Sequence, residues 1–69
     1  MKSISGKKLA EVLEKRGWEL RRVTGIHPIF RNPETREIAA VPIHRNRDLK
    51  IGTLRSILKV TGLTENDLP

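Results

Sequence analysis

The spacing of apolar residues changes period twice along this chain, and that change constrains the architecture more than any other feature. Leu9, Val12 and Leu13 recur at helical spacing, with Lys7, Lys8, Glu11, Glu14 and Lys15 outside the stripe. From Trp18 the period drops to two, Trp18 and Leu20 alternating with Glu19 and Arg21. Leu54, Ile57 and Leu58 then restore the helical repeat. A chain patterned in this way reads as helix, short strands, helix.

The residues between these segments supply the stops. Ser5 is placed to cap the first helix, and Ile4 is spaced to staple onto Leu9. Gly17 ends that helix in a left-handed turn, and Glu11 and Lys15 make a favourable pair one turn apart. The first strand runs from Trp18 to Val23, with Trp18 expected in the core, and Thr24-Gly25 turns the chain. His27 to Asn32 is the second strand. Pro28 inside it has no N–H to donate, which predicts a position at a sheet edge or a bulge. Asn32-Pro33-Glu34-Thr35 is a turn, and Glu37 to Ile43 is the third strand.

A polar loop, His44 to Asp48, leads to a second helix starting near Gly52-Thr53 and closed by Gly62, with Leu63 folding back. Thr64 then caps a last short turn. Connections this short join the strands as an antiparallel meander. The expected fold class is α+β, α-β-β-β-α, a three-stranded antiparallel sheet with two helices packed on one face, in a single domain over residues 1–69.

Composition narrows the function classes. A chain of 69 residues buries only about 60% of the surface its unfolded form exposes, so the core is thin and a partner helps to hold it. There is no cysteine, hence no disulfide and no thiolate metal site. The longest apolar run, Ile38-Ala39-Ala40-Val41, is too short for a membrane span or a signal-peptide core, and the expectation is a soluble cytoplasmic protein. The net charge is +6, and residues 21–59 carry nine of the 14 lysines and arginines against three of the eight carboxylates. A basic field concentrated in this way attracts nucleic acid or an acidic protein. It also serves plain solubility.

Two side chains titrate near neutrality by nature, His27 and His44. The chain shows no nucleophile–histidine–carboxylate spacing, no trusted metal-ligand motif and no phosphate-cradling glycine loop. Trp18 and Phe30 are too few for a base-stacking platform. His27 is the better candidate. It follows the flexible Gly25, opens a strand and has Arg21, Arg22 and Arg31 nearby in sequence. An imidazole there can take a proton from a ribose 2′-hydroxyl while cations hold the phosphate. The bland alternative is a polar residue at a strand end. For His44, and for Arg45 and Arg47 beside it, the bland alternative is a solvated loop.

The order of motifs is also familiar. A first helix ending in Lys15-Arg16-Gly17-Trp18, a strand, then Thr24-Gly25-Ile26-His27-Pro28-Ile29-Phe30-Arg31-Asn32-Pro33 resembles the catalytic segment of HicA toxins, the YcfA family of small mRNA interferases. Val41-Pro42-Ile43-His44, Leu49 to Lys59 and Gly62-Leu63-Thr64 resemble that family's closing strand and second helix. The resemblance covers Ile4 to Asp67, and Gly52 to Lys59 is its most specific part. It implies a fold similar to double-stranded-RNA-binding domains, metal-independent ribonuclease activity with no cofactor, and a HicB-type antitoxin partner. It also implies that His27 is catalytic. The family usually reads Gly-Ser-His, often followed by a second His; here Gly25-Ile26-His27-Pro28 stands in its place.

Two functional expectations follow. The first is a toxin that cleaves mRNA with His27 as general base and phosphate contacts from among Arg21, Arg22, Arg31 and Lys50. The acid for the leaving oxygen stays open between His44 and water. The second is a catalytically inactive module of the same fold that binds RNA or docks an antitoxin. DNA reading by the second helix is disfavoured, because only Arg55 and Lys59 project from its polar side and no helix precedes it at the required spacing.

Overall fold

The computed structural model describes residues 3–69 and has the element order that the periodicity implies. Helix α1 spans Gly6–Lys15; strands β1 (Glu19–Thr24), β2 (His27–Arg31) and β3 (Ile38–Ala40) follow; helix α2 spans Ile51–Thr61 before a 3-10 turn at Glu65–Asp67. The strands form one antiparallel sheet in the order β1-β2-β3. Leu9 and Leu13 of α1 share a buried cluster with Leu54, Ile57 and Leu58 of α2 and with Phe30 and Ala39 of the sheet. The alternate sheet residues Ile29, Arg31 and Ile38 stay outside that cluster. Both helices therefore cover one face of the sheet and leave the other open. No helix among the described residues is long and apolar enough to cross a membrane.

The helix ends follow the sequence signals. Ser5 Oγ accepts a bond from the Lys8 N–H at 3.2 Å, and Ile4 before it is buried with Leu9. Gly62 closes α2 with left-handed backbone, donating its N–H to the Leu58 carbonyl at 2.9 Å, and Leu63 packs against the core. At the C-terminus the Thr64 N–H donates to Asp67 Oδ2 at 2.7 Å, and the Arg16 guanidinium donates to Oδ1 at 2.5 Å. These two partners, the Thr64 N–H foremost, hold the Asp67 carboxyl below its usual range. They also tie the last turn to the end of α1, beside the buried Leu68.

Two expectations need correction. Pro28 is neither at an edge nor at the bulge: β2 is the central strand. The Val41 N–H donates to the Pro28 carbonyl at 3.1 Å, and Pro28 has no N–H to return the bond. The ladder is thus half made beyond that point, which is why β3 ends at Ala40 and not at Ile43, although a bond from Ile43 N–H to the Ile26 carbonyl (2.9 Å) still carries the chain alongside. Leu20 lies on the core side of the sheet without joining the core. It opposes Phe30 on the helix side of the sheet yet is 49% exposed, whereas Trp18 is 4% exposed. Every residue of β1 is exposed, although β1 is an edge strand that α1 approaches.

Gly6 shows how closely α1 is docked. A Cβ there would overlap the backbone carbonyl of Pro42, which cannot rotate away as a side chain would. Gly6→Ala is expected to destabilise the domain by about 1–3 kcal/mol, outweighing the better helix propensity of alanine. The change should appear as a lower urea midpoint at unchanged slope; a raised midpoint would mean that the packing of α1 on residues 42–43 is looser than described.

Candidate functional site

The site is built from the open face of the sheet. Gly25 and Ile26 form a two-residue loop between β1 and β2, and the left-handed backbone at Gly25 (φ +61) suits a hairpin loop of that length. His27 is thereby the first residue of the central strand, opposite Thr24 and exposed. Alternation along β2 sends Pro28 and Phe30 into the core and leaves His27, Ile29 and Arg31 on the open face. The residue after His27 therefore shares no face with the imidazole, while Ile26 stands in the loop, 43% exposed.

A bulge decides where the arginines go. Leu20 pairs with Phe30 but Arg22 pairs with Ile29, so Arg21 is the extra residue. Strict alternation would put Arg22 on the same side as Leu20. The bulge instead brings Arg21 and Arg22 together on the open face, where they border a shallow depression of about 370 Å³ with Arg31, Arg36, Ile29 and Ile38. Arg22 lies diagonally across the β1–β2 ladder from His27, at about 7–8 Å between Cα atoms, within reach of a long side chain. Arg31 lies four residues along the same strand, about 13 Å away. Glu19, directly opposite Arg31, is the carboxylate of β1 on this face.

Arg36 was not among the residues expected at the site. It enters the depression because the turn after β2 is closed by backbone in the left-handed region, with Arg36 at φ +66. Asn32 Oδ1 accepts bonds from the N–H groups of Glu34 (2.8 Å) and Thr35 (3.2 Å), and the Asn32 carbonyl accepts one from Arg36 (2.8 Å). A non-glycine residue held there costs about 1 kcal/mol relative to glycine. Arg45, at φ +55, is the other described non-glycine residue with such backbone.

Lys50 stands apart from the three arginines expected with it. It occupies the cap position of α2 and lines a separate cleft of about 510 Å³ with His44, Arg47 and Thr53. The loop carrying His44 and Arg47 is pinned at both ends, by the Ile43–Ile26 bond and by the Leu49 N–H donating to the Ile4 carbonyl at 2.8 Å. The bonds to Pro28 and Ile26 set Pro42 opposite His27, and His44 follows the last bonded position. His44, Arg45 and Arg47 meet Ile26 around a common hollow. His27 thus lies between two cationic groups, the arginine depression at one end of the face and the His44 loop at the other. Among the described residues no three His, Asp or Glu side chains are grouped to hold a metal ion.

The family model described as the HicA toxin of bacterial toxin-antitoxin matches residues 6–63, from the first turn of α1 to the residue after the α2 cap. A search of curated proteins finds no significant match.

Proposed function

The chain belongs to the HicA family of toxins of bacterial toxin-antitoxin systems, and on that premise we propose that it is an endoribonuclease acting on mRNA, with the His27 imidazole as general base. The observation that carries this reading is the exposed His27 on the open sheet face, with the Arg22 guanidinium diagonally across the ladder. In the proposed step the imidazole takes the proton of a ribose 2′-hydroxyl, and that oxygen attacks the adjacent phosphorus. The bond from phosphorus to the 5′-oxygen of the next nucleotide breaks, and the departing oxygen takes a proton. Arg22 offsets the negative charge that grows on the phosphoryl oxygens. We assign the proton donor to His44, whose loop begins where the chain leaves the side of Ile26.

An antitoxin of the HicB type is the proposed partner. A protein that silences this face does so by covering it, and acidic residues there would speed association at low salt. Polyanion binding of either kind should weaken steeply as salt is raised.

The chemistry is tested by the ends it leaves. Incubation of the purified protein with RNA in the presence of a metal chelator should give a 2′,3′-cyclic phosphate on one fragment and a 5′-hydroxyl on the other. Fragments ending in 3′-hydroxyl and 5′-phosphate would overturn the proposal, since no base acting on the 2′-hydroxyl produces them.

One observation favours the second reading, a module that binds without cutting. Ile26 places an exposed apolar side chain beside His27, where the family usually carries a serine hydroxyl. On that reading the same face binds RNA or an antitoxin with the same salt dependence, and RNA stays intact at every protein concentration.

A further inference from the structure

We infer that Arg21, Arg31 and Arg36, with Arg22 shared between them and the phosphate at His27, are set around Ile29 and Ile38 as a subsite for single-stranded RNA flanking the cleaved bond. The inference rests on the ribonuclease reading and adds a subsite to it. The depression has a cationic rim and an apolar floor: Ile38 is 60% exposed, and Ile29 is half-buried next to it. Among the described residues none of the four guanidinium groups makes an ion pair, whereas Arg16 does so with Asp67. Free guanidinium groups bind phosphate oxygens and stack on bases, and an aliphatic floor accepts the face of an unstacked base. The depression lies on the same face and strand as His27 but its far end is about 13 Å along β2. An RNA strand held there contributes nucleotides beyond the one that is cut.

Two backbone irregularities converge on this depression. The bulge at Arg21 doubles the arginines of β1 on one face, and the left-handed turn presents Arg36. Glycine would fit the turn without strain, yet an arginine occupies it. Irregular backbone maintained against its cost, at two places facing one depression, points to binding and not to folding.

The test is Arg36→Gly, which removes one cation and relieves the backbone at the same position. Binding is read in the His27→Ala background by fluorescence anisotropy, with an oligouridylate long enough to span the face. Affinity should fall about fivefold, and the slope of log affinity against log salt should decrease by about one. With His27 intact, cleavage of the dinucleotide UpA should be unchanged while cleavage of the longer strand slows to match. Thermal unfolding should be unaffected or improved. Equal loss on both substrates would overturn the flanking subsite and make Arg36 part of the cutting site. Unchanged RNA binding combined with weaker binding of the purified antitoxin would overturn it in favour of an acidic protein segment. A parent that binds RNA and never cuts it sinks the ribonuclease reading, while the binding arm still decides whether the depression holds RNA.

Discussion

His27→Ala should abolish RNA cleavage, lowering the rate by about 10²–10⁴-fold, the usual worth of a positioned general base. The loss is expected without unfolding. His27 is exposed at the mouth of β2, and its side chain makes no hydrogen bond with any described residue, so removing it takes nothing from the core. Expression of the parent should slow growth, and expression of the variant should not. RNA affinity should change little, because the arginines proposed to hold phosphate remain. Retained binding with lost turnover is the signature of a group acting on the transition state. A variant that cuts as fast as the parent would remove His27 from the mechanism, and a parent that never cuts would leave the binding module as the function.

The parts of this molecule that were legible in its sequence are those decided by neighbours along the chain. The stripe Leu9-Val12-Leu13 and the cap Ser5 lie within a few residues of one another, so α1 could be read directly. The same holds for Leu54-Ile57-Leu58 and Gly62 in α2. His27 stood out because it begins a strand after a glycine turn, and because the segment around it resembles a known family. What escaped reading was decided across the sheet. The early end of β3 is caused by Pro28, a residue of a different strand. Leu20 alternates correctly with Glu19 yet is exposed, and no local pattern records how far the core reaches along an edge strand. The bulge at Arg21 carries no marker residue, such as a glycine, and strict alternation hides it. Arg36 was missed because arginine is not a residue that signals left-handed backbone. The Asn32-Pro33 turn was the available clue, since Asn32 folds its side chain over the next residues and leaves position 36 to close the turn.

The proton donor poses a sharper problem than the base, and it gives the second large effect. If His44 protonates the departing 5′-oxygen, His44→Ala should slow cleavage of ordinary RNA by about 10²-fold or more. The same variant should cut uridine 3′-(p-nitrophenyl phosphate) nearly as fast as the parent. A ribose alkoxide is a strong base and leaves poorly without a proton, whereas a nitrophenoxide is stable in water as it departs. His27→Ala, by contrast, should be slow on both substrates, since the attacking hydroxyl is the same. The Ile43–Ile26 bond holds the start of the loop that carries His44 against the hairpin, and the Leu49–Ile4 bond fixes its other end to the residue before the α1 cap. A simple loss of phosphate binding predicts a different pattern: both substrates slow together, and the Michaelis constant rises while turnover stays. If His44→Ala loses equally on the nitrophenyl ester and on RNA, or loses on neither, the donor is not His44, and water delivered to the leaving oxygen takes its place.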